Sequence, residues 1–134
     1  MHKTRIVTSF LKNSEEILLL KRSGKVKSMK NLWAGISGII EGEEKPIKRA
    51  EIEIFEEAGI KKSDITLLKE GNTILIESPQ YANHQWEVYP FLFSCNKREI
   101  KLNWENSDSK WISRNEVNNF ITVPSLEKVL SRLF

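Results

Sequence analysis

Cysteine is almost missing: Cys95 is the only one in 134 residues. That excludes a disulfide framework within the chain and the small stapled scaffolds that depend on one. Cys95 sits in an apolar run, which predicts a buried and inert thiol, and no activating partner for a nucleophile stands near it in sequence. No apolar stretch approaches the roughly 20 residues of a membrane span. Residues 1–13 lack the long apolar segment of a signal peptide. A cytosolic protein with no membrane partner is the expectation. A strong charge of either sign is missing too. The net charge is +3, with 29% of residues charged. That is too mild to mark a nucleic-acid binder and equally suits a small anionic substrate, so nucleic acid is not expected as a partner. Internal repeats and low-complexity tracts are also missing. The length is that of one ordinary domain, expected to span residues 1–134, and 40% hydrophobic residues are enough for a core.

What the chain does have is one acid-rich stretch, residues 38–60, reading GIIEGEEKPIKRAEIEIFEEAGI. Its helix signals agree. Pro46 suits a first helical position, where the missing N–H would be unpaired anyway. Glu43 and Glu44 stand just ahead, where the positive helix end favours acids. Gly59 suits the left-handed residue that closes a helix. A helix over about residues 45–58 is predicted. At about 100° per residue, Ile47, Ala50, Ile54 and Ala58 share one face, which should pack on a sheet. Glu53, Glu56 and Glu57 share another, where like charges repel. A hard divalent cation with oxygen ligands would compensate them. Taken alone, the triplet also reads as a solvated acidic face with Lys48 and Arg49 as partners.

The stretch resembles the box of the Nudix hydrolases, G-x5-E-x7-R-E-U-x-E-E-x-G-U, where U is a bulky aliphatic residue. Gly38, Glu44, Glu53, Ile54, Glu56, Glu57, Gly59 and Ile60 fill their places without a gap. Ile52 stands where the family has arginine. The resemblance implies an α+β fold, a Nudix-type α/β/α sandwich with a curved mixed sheet. It implies hydrolysis of a diphosphate bond in a nucleoside diphosphate linked to another moiety, with Mg²⁺ as cofactor and Mn²⁺ as a substitute. By the same resemblance Glu53, Glu56 and Glu57 are catalytic residues and metal ligands, with Glu53 as base. Ser37, just before the motif glycine, would offer a backbone carbonyl to the metal. Arg22, at the end of a predicted strand, would reach the substrate phosphates. Glu44 would support the helix start. A further downstream acid is expected at Glu105 or Glu87. The family's arginine pairs with a motif carboxylate, which Ile52 cannot do. Arg49 falls between the directions of Glu53 and Glu56 and can take over part of that role. If it does not, the alternative is a catalytically weak nucleotide-sensing or protein-interaction module on the same fold. A homodimer is compatible with either reading.

The rest of the chain supplies a setting. Residues 4–11 and 16–22 read as a hairpin, and Ile17-Leu18-Leu19-Leu20 reads as a strand buried on both faces. Residues 23–31 form a lysine-bearing loop, read as a solvated one. Residues 33–40 read as one strand feeding the motif, with Trp33 as a core or loop anchor. Residues 65–68 and 72–77 read as two strands. Residues 78–84 form a loop holding Tyr81, a candidate substrate contact; this aromatic-rich segment, with Trp86 after it, can cover a base or simply cap the core. Residues 87–95 read as a strand in which Pro90 suits a bulge or an edge. A turn with a short strand is predicted over 97–103, and another short strand over 110–112. Ser113 with Glu116 reads as a capping box. A last helix is predicted from Pro124 to Leu133, with Leu126, Val129, Leu130 and Leu133 on one face.

Overall fold

The computed structural model describes residues 2–77 and 82–134. Strand β1 (His2–Asn13) and strand β2 (Glu16–Arg22) form the predicted hairpin, closed by Ser14-Glu15 with Ser14 at φ 55°. Strand β2 is apolar without interruption because both its faces are covered. Leu18 and Leu20 join one core, Ile17 and Leu19 the other. The predicted strand over 33–40 is instead two pieces, β3 (Trp33–Ala34) and β4 (Ile36–Ile39). They break at Gly35, where a Cβ would lie 2.8 Å from the Phe10 ring. The chain passes that ring only because glycine has no side chain, and β3 pairs with β2 whereas β4 pairs with β1.

The predicted helix is α1 (Pro46–Ala58), with Pro46 in its first turn and Gly59 left-handed at φ 72°. Ala50, Ile54 and Ala58 are wholly buried and Ile47 partly so. Full burial of one aliphatic side chain such as Ile54 contributes about 1.5–3 kcal/mol, enough to seat a short helix on the sheet. Strands β5 (Ile65–Glu70) and β6 (Ile74–Glu77) both pair with β7 (His84–Cys95). Pro90 lies inside β7, not at a sheet edge. It faces the gap between β5 and β6, where its carbonyl accepts a bond from Gly71 N–H at 2.9 Å. The N–H that proline lacks would point into that same gap, so no ladder bond is lost.

Residues 97–103 form no strand, and β8 (Asn106–Ser113) is longer than the predicted 110–112. Strand β8 pairs with β2 over its length, which extends a segment whose polar start gave no strand signal. A 3-10 helix follows at Arg114–Asn119, its start fixed by Ser113 N–H donating to Glu116 Oε1 at 2.8 Å. The last helix, α2 (Leu126–Ser131), is shorter than predicted because Ser125 is left-handed at φ 69°. Its apolar face is as predicted, with Leu126, Val129, Leu130 and Leu133 all buried.

Among the described residues the sheet has eight strands in the order β3-β2-β1-β7-β5, with β4 on β1, β6 on β7 and β8 on β2. The central pair, β1 and β7, is parallel and the other pairs are antiparallel, so the sheet is mixed. One face carries Phe91, Phe93 and Cys95 against α1; the other carries Phe10, Leu92 and Val88 against the 3-10 helix and α2. This is the expected α+β layering. Trp33 is a core anchor, packed edge-on to Phe120 at 5.3 Å. No helix among the described residues is long and apolar enough to cross a membrane.

Candidate active site

Strand β4 presses the motif glycine against α1. A Cβ on Gly38 would collide with the Glu53 carboxyl group, so this position admits glycine for space. Ser37 lies beside it, paired in register with Thr8 and hydrogen-bonded to the Thr8 hydroxyl at 3.0 Å. The helix therefore projects its acids over the end of β4.

Arg49 is the hub of those acids. Its Nε donates to Glu44 Oε1 at 2.7 Å and its Nη2 to Glu44 Oε2 at 3.1 Å, a two-pronged contact. Its Nη1 donates to Glu53 Oε2 at 3.0 Å, and Nη2 also reaches Glu41 Oε2 at 3.4 Å. The Arg49 side chain is only 12% exposed, so it is not a solvated surface charge. Those bonds hold Glu44 below the usual carboxylate range, helped by the Glu41 N–H at 2.7 Å. The same carboxylates hold the guanidinium firmly protonated. Burial pushes Glu53 up, against the pull of Arg49. Ile52 points elsewhere. It is 40% exposed and lines an outward groove with Lys48, Glu51, Phe55, Glu56, Lys61 and Lys62.

Glu57 is buried, with 5% exposure. Asn106 Nδ2 donates to its Oε1 at 3.1 Å, whereas no donor among the described residues meets its buried Oε2, and its carboxyl lies within hydrogen-bond reach of the Glu53 carboxyl. Burial pushes this carboxyl well up, and the nearby charges of Glu105 and Glu53 push the same way. Glu56 is exposed.

A cavity of about 500 Å³ opens beside these acids. Arg49, Glu53, Glu56 and Glu105 line its charged end with Ser37 and Gly38. Its other end is apolar, formed by Ile6, Ile76, Trp86 and Val88 of the sheet under Val123 and Leu126. Of the two downstream acids expected, Glu105 is at the cavity. Glu87 is not; it is engaged by the Tyr89 hydroxyl and by Lys3 Nζ at 3.5 Å. Arg22 lines the cavity, but its Nε and Nη2 donate to the Ser28 carbonyl at 3.2 and 3.0 Å. It ties down the lysine-bearing loop while facing the cleft. Tyr81 lies outside the described residues. Asn103 and Asn106 carry no sequence signal, because no motif marks them: Asn103 ends the segment expected as a turn and short strand, and Asn106 opens a merely polar one.

Oxygen ligands suit a hard cation, and the unpartnered buried Glu57 Oε2 is the kind of atom a cation would satisfy. The donor set thus fits the divalent ion that the motif implies. No group of three or more metal-ligating side chains forms a ready cage among the described residues.

A helix that brings acids to one end of a cleft whose other end is apolar defines a class. It suits an enzyme that cuts an anionic linkage attached to an uncharged group. A model of the NUDIX domain matches residues 2–133, and the chain belongs to that family. It is thus a hydrolase of the Nudix type. No protein of curated function matches the sequence. The fold is shared with the MutT protein from Methanosarcina mazei Go1, at 20% identity over 98% of this chain and 92% of that one, TM-score 0.76. It is shared with a C. elegans Ap4A hydrolase in a binary complex, at 20% identity over 99% and 95%, TM-score 0.75. The NUDIX domain of Shewanella oneidensis NrtR, complexed with ADP ribose, has 15% identity over 99% and 87%, TM-score 0.79. At these identities the likeness is one of fold.

Proposed function

We propose that this enzyme hydrolyses, with Mg²⁺ or Mn²⁺, a diphosphate bond in a nucleoside diphosphate linked to another moiety. The observation that carries the metal requirement is the buried, unpartnered Glu57 Oε2 in the field of Glu53 and Glu105. Glu57, Glu56 and Glu53 would hold the ion, with the Ser37 carbonyl beside them. When bound, it supplies Lewis acidity that offsets the diphosphate charge. Glu53 is the proposed base. Burial raises its carboxyl pKa against the pull of Arg49, which makes it a stronger proton acceptor than an ordinary glutamate. Arg22 also lines the cleft and would meet the phosphates. The apolar end, with Trp86, would take the flat uncharged part of the nucleoside by excluding water.

The test is a phosphate-release screen over nucleotide sugars, dinucleoside polyphosphates, ADP-ribose and nucleoside triphosphates, with Mg²⁺, Mn²⁺ or EDTA. Glu57→Gln keeps the shape and removes the charge, so its turnover should fall by orders of magnitude while the fold survives. Near-wild-type rates in that variant, or full activity in EDTA, would sink the metal assignment. Binding without turnover of any substrate class would instead favour the nucleotide-sensing module.

A further inference from the structure

Buried polar side chains are few here, and they gather. Among the described residues five polar or charged side chains are buried: Thr8, Ser9, Ser23, Glu57 and Asn106. Three of them, Ser23, Glu57 and Asn106, belong to one assembly around the turn that enters β8. A buried polar group costs stability unless it is satisfied, so such a concentration marks a place where the polar chemistry is needed.

We infer that Asn106 is a positioning residue that fixes the Glu57 carboxylate for a divalent cation. The inference rests on the proposed role of Glu57 as ligand. Asn106 Nδ2 meets Glu57 Oε1 at 3.1 Å, across 49 residues of sequence. An ionised carboxylate only accepts hydrogen bonds, so the amide must present its N–H to it. This donor pins one oxygen in place and leaves the other, Oε2, for a ligand. It also leaves the carboxylate charge whole. An arginine or lysine at position 106 would neutralise Glu57 and compete with the cation, and an aspartate would repel it. A neutral donor is the side chain that orients a metal-binding acid without disarming it.

The mount for this amide is made independently of it. Asn103 Oδ1 accepts the Glu105 N–H at 3.0 Å, and Asn103 Nδ2 donates to Glu105 Oε1 at 3.2 Å. Ser23 N–H donates to the Glu105 carbonyl and Ser23 Oγ to the Trp104 carbonyl, each at 2.8 Å. The turn is thus tied to the end of β2 by Ser23 and closed by Asn103. Among the described residues the Asn106 side chain bonds only to Glu57. Its purpose is the carboxylate, not the turn.

Mn²⁺ titration of the substrate-free protein tests this, followed by paramagnetic resonance of the free ion, with melting temperature in EDTA measured alongside. Asn106→Ala should weaken Mn²⁺ binding roughly 10- to 100-fold, as loss of an outer partner of a metal ligand does. Asn106→Ser, which restores a donor in less volume and serves if the alanine variant does not fold, should fall between it and the wild type. Asn103→Ala, which leaves the Asn106–Glu57 bond in place, should lose less affinity than Asn106→Ala. A purely structural role would lower the melting temperature in EDTA and leave Mn²⁺ affinity unchanged. That result in folded Asn106→Ala or Asn106→Ser overturns the inference alone. A wild-type protein that binds no Mn²⁺ overturns the ligand role of Glu57 and this inference with it.

Discussion

Arg49→Ala should damage catalysis beyond its effect on folding. The guanidinium makes its contacts with Glu44 and Glu53 at 2.7–3.1 Å, from a side chain only 12% exposed. A hydrogen bond to a charged group contributes about 1.5–3 kcal/mol. If the Glu53 contact alone matters in the transition state, its loss slows turnover roughly tenfold to a hundredfold, at about 1.4 kcal/mol per decade. Folding suffers less, because Arg49, Glu44 and Glu53 are all only partly buried and solvent screens their contacts. Arg49→Lys should fall between, since an ammonium cannot grip Glu44 with two prongs and reach Glu53 together. Ile52→Arg placed in the Arg49→Ala background should restore little. Position 52 lies about 60° round the helix from Arg49, at about 100° per residue, in a groove whose acids are Glu51 and Glu56 and not Glu44 or Glu53. The assay is steady-state phosphate release with Mg²⁺, read as kcat and KM separately, beside the melting temperature of each variant. An Arg49→Ala protein with wild-type turnover would refute the reasoning, whatever its stability.

Burial holds Glu57 well above the ordinary 4.5. A carboxyl with a raised folded pKa stabilises the fold fully below its unfolded value and loses that contribution as pH rises through the folded one. EDTA-treated protein should therefore melt progressively lower as pH is raised from about 4.5, and Glu57→Gln should flatten that slope in thermal scans. Gly38→Ala should cost about 1–3 kcal/mol, the usual range for overpacking, and should reduce kcat because the added methyl must displace the Glu53 carboxyl; an unchanged kcat counts against that contact. Cys95 is 4% exposed, its Sγ 3.2 Å from the Lys97 carbonyl and its pKa raised by burial. Cys95→Ala should lower the melting temperature and leave kcat alone, and native protein should react slowly with a thiol reagent; fast labelling with loss of activity would argue the opposite.

The helix and its apolar face were legible because the information is local. Pro46, Gly59 and the spacing of Ala50, Ile54 and Ala58 act within a few turns, and each did what its chemistry requires. Glu57 shows where local reading stops. On the helix it neighbours Glu53 and Glu56, yet it is buried whereas Glu56 is exposed. Spacing separates the two, since at about 100° per residue Glu57 lies about 20° from the buried Ala50 and Glu56 about 120° from it. What spacing does not show is the β8 turn, which arrives from 49 residues away and sets Asn106 against Glu57. The misread strand over 97–103 has the same origin. Its residues alternate well enough, but strand formation needs a partner edge, and β2 gives its edge to Asn106–Ser113 instead. Pro90 was legible in kind and not in place: its missing N–H had to face a gap, and only the pairing of β5 and β6 with β7 says where that gap is.

The two residues that aim the acids do so by opposite means, and the contrast bears on which acid does what. Arg49 brings a full positive charge to Glu44 and Glu53. Asn106 brings a dipole to Glu57. Glu53 is thus partly neutralised by a cation of the protein, whereas Glu57 is not, and burial pushes the Glu57 carboxyl toward its protonated form when no metal is bound. A carboxylate kept charged, buried and half unpaired is unstable by itself and is relieved by a cation more than its neighbour would be. A carboxylate shared with an arginine binds a cation less strongly. The arrangement therefore favours Glu57 as the principal ligand and leaves Glu53 for the proposed role of base. Glu57→Gln should then lose Mn²⁺ affinity far more than Glu53→Gln, whereas Glu53→Gln should lose kcat with Mn²⁺ affinity mostly kept. Equal losses of affinity in the two variants would show that both acids are ligands of the same rank.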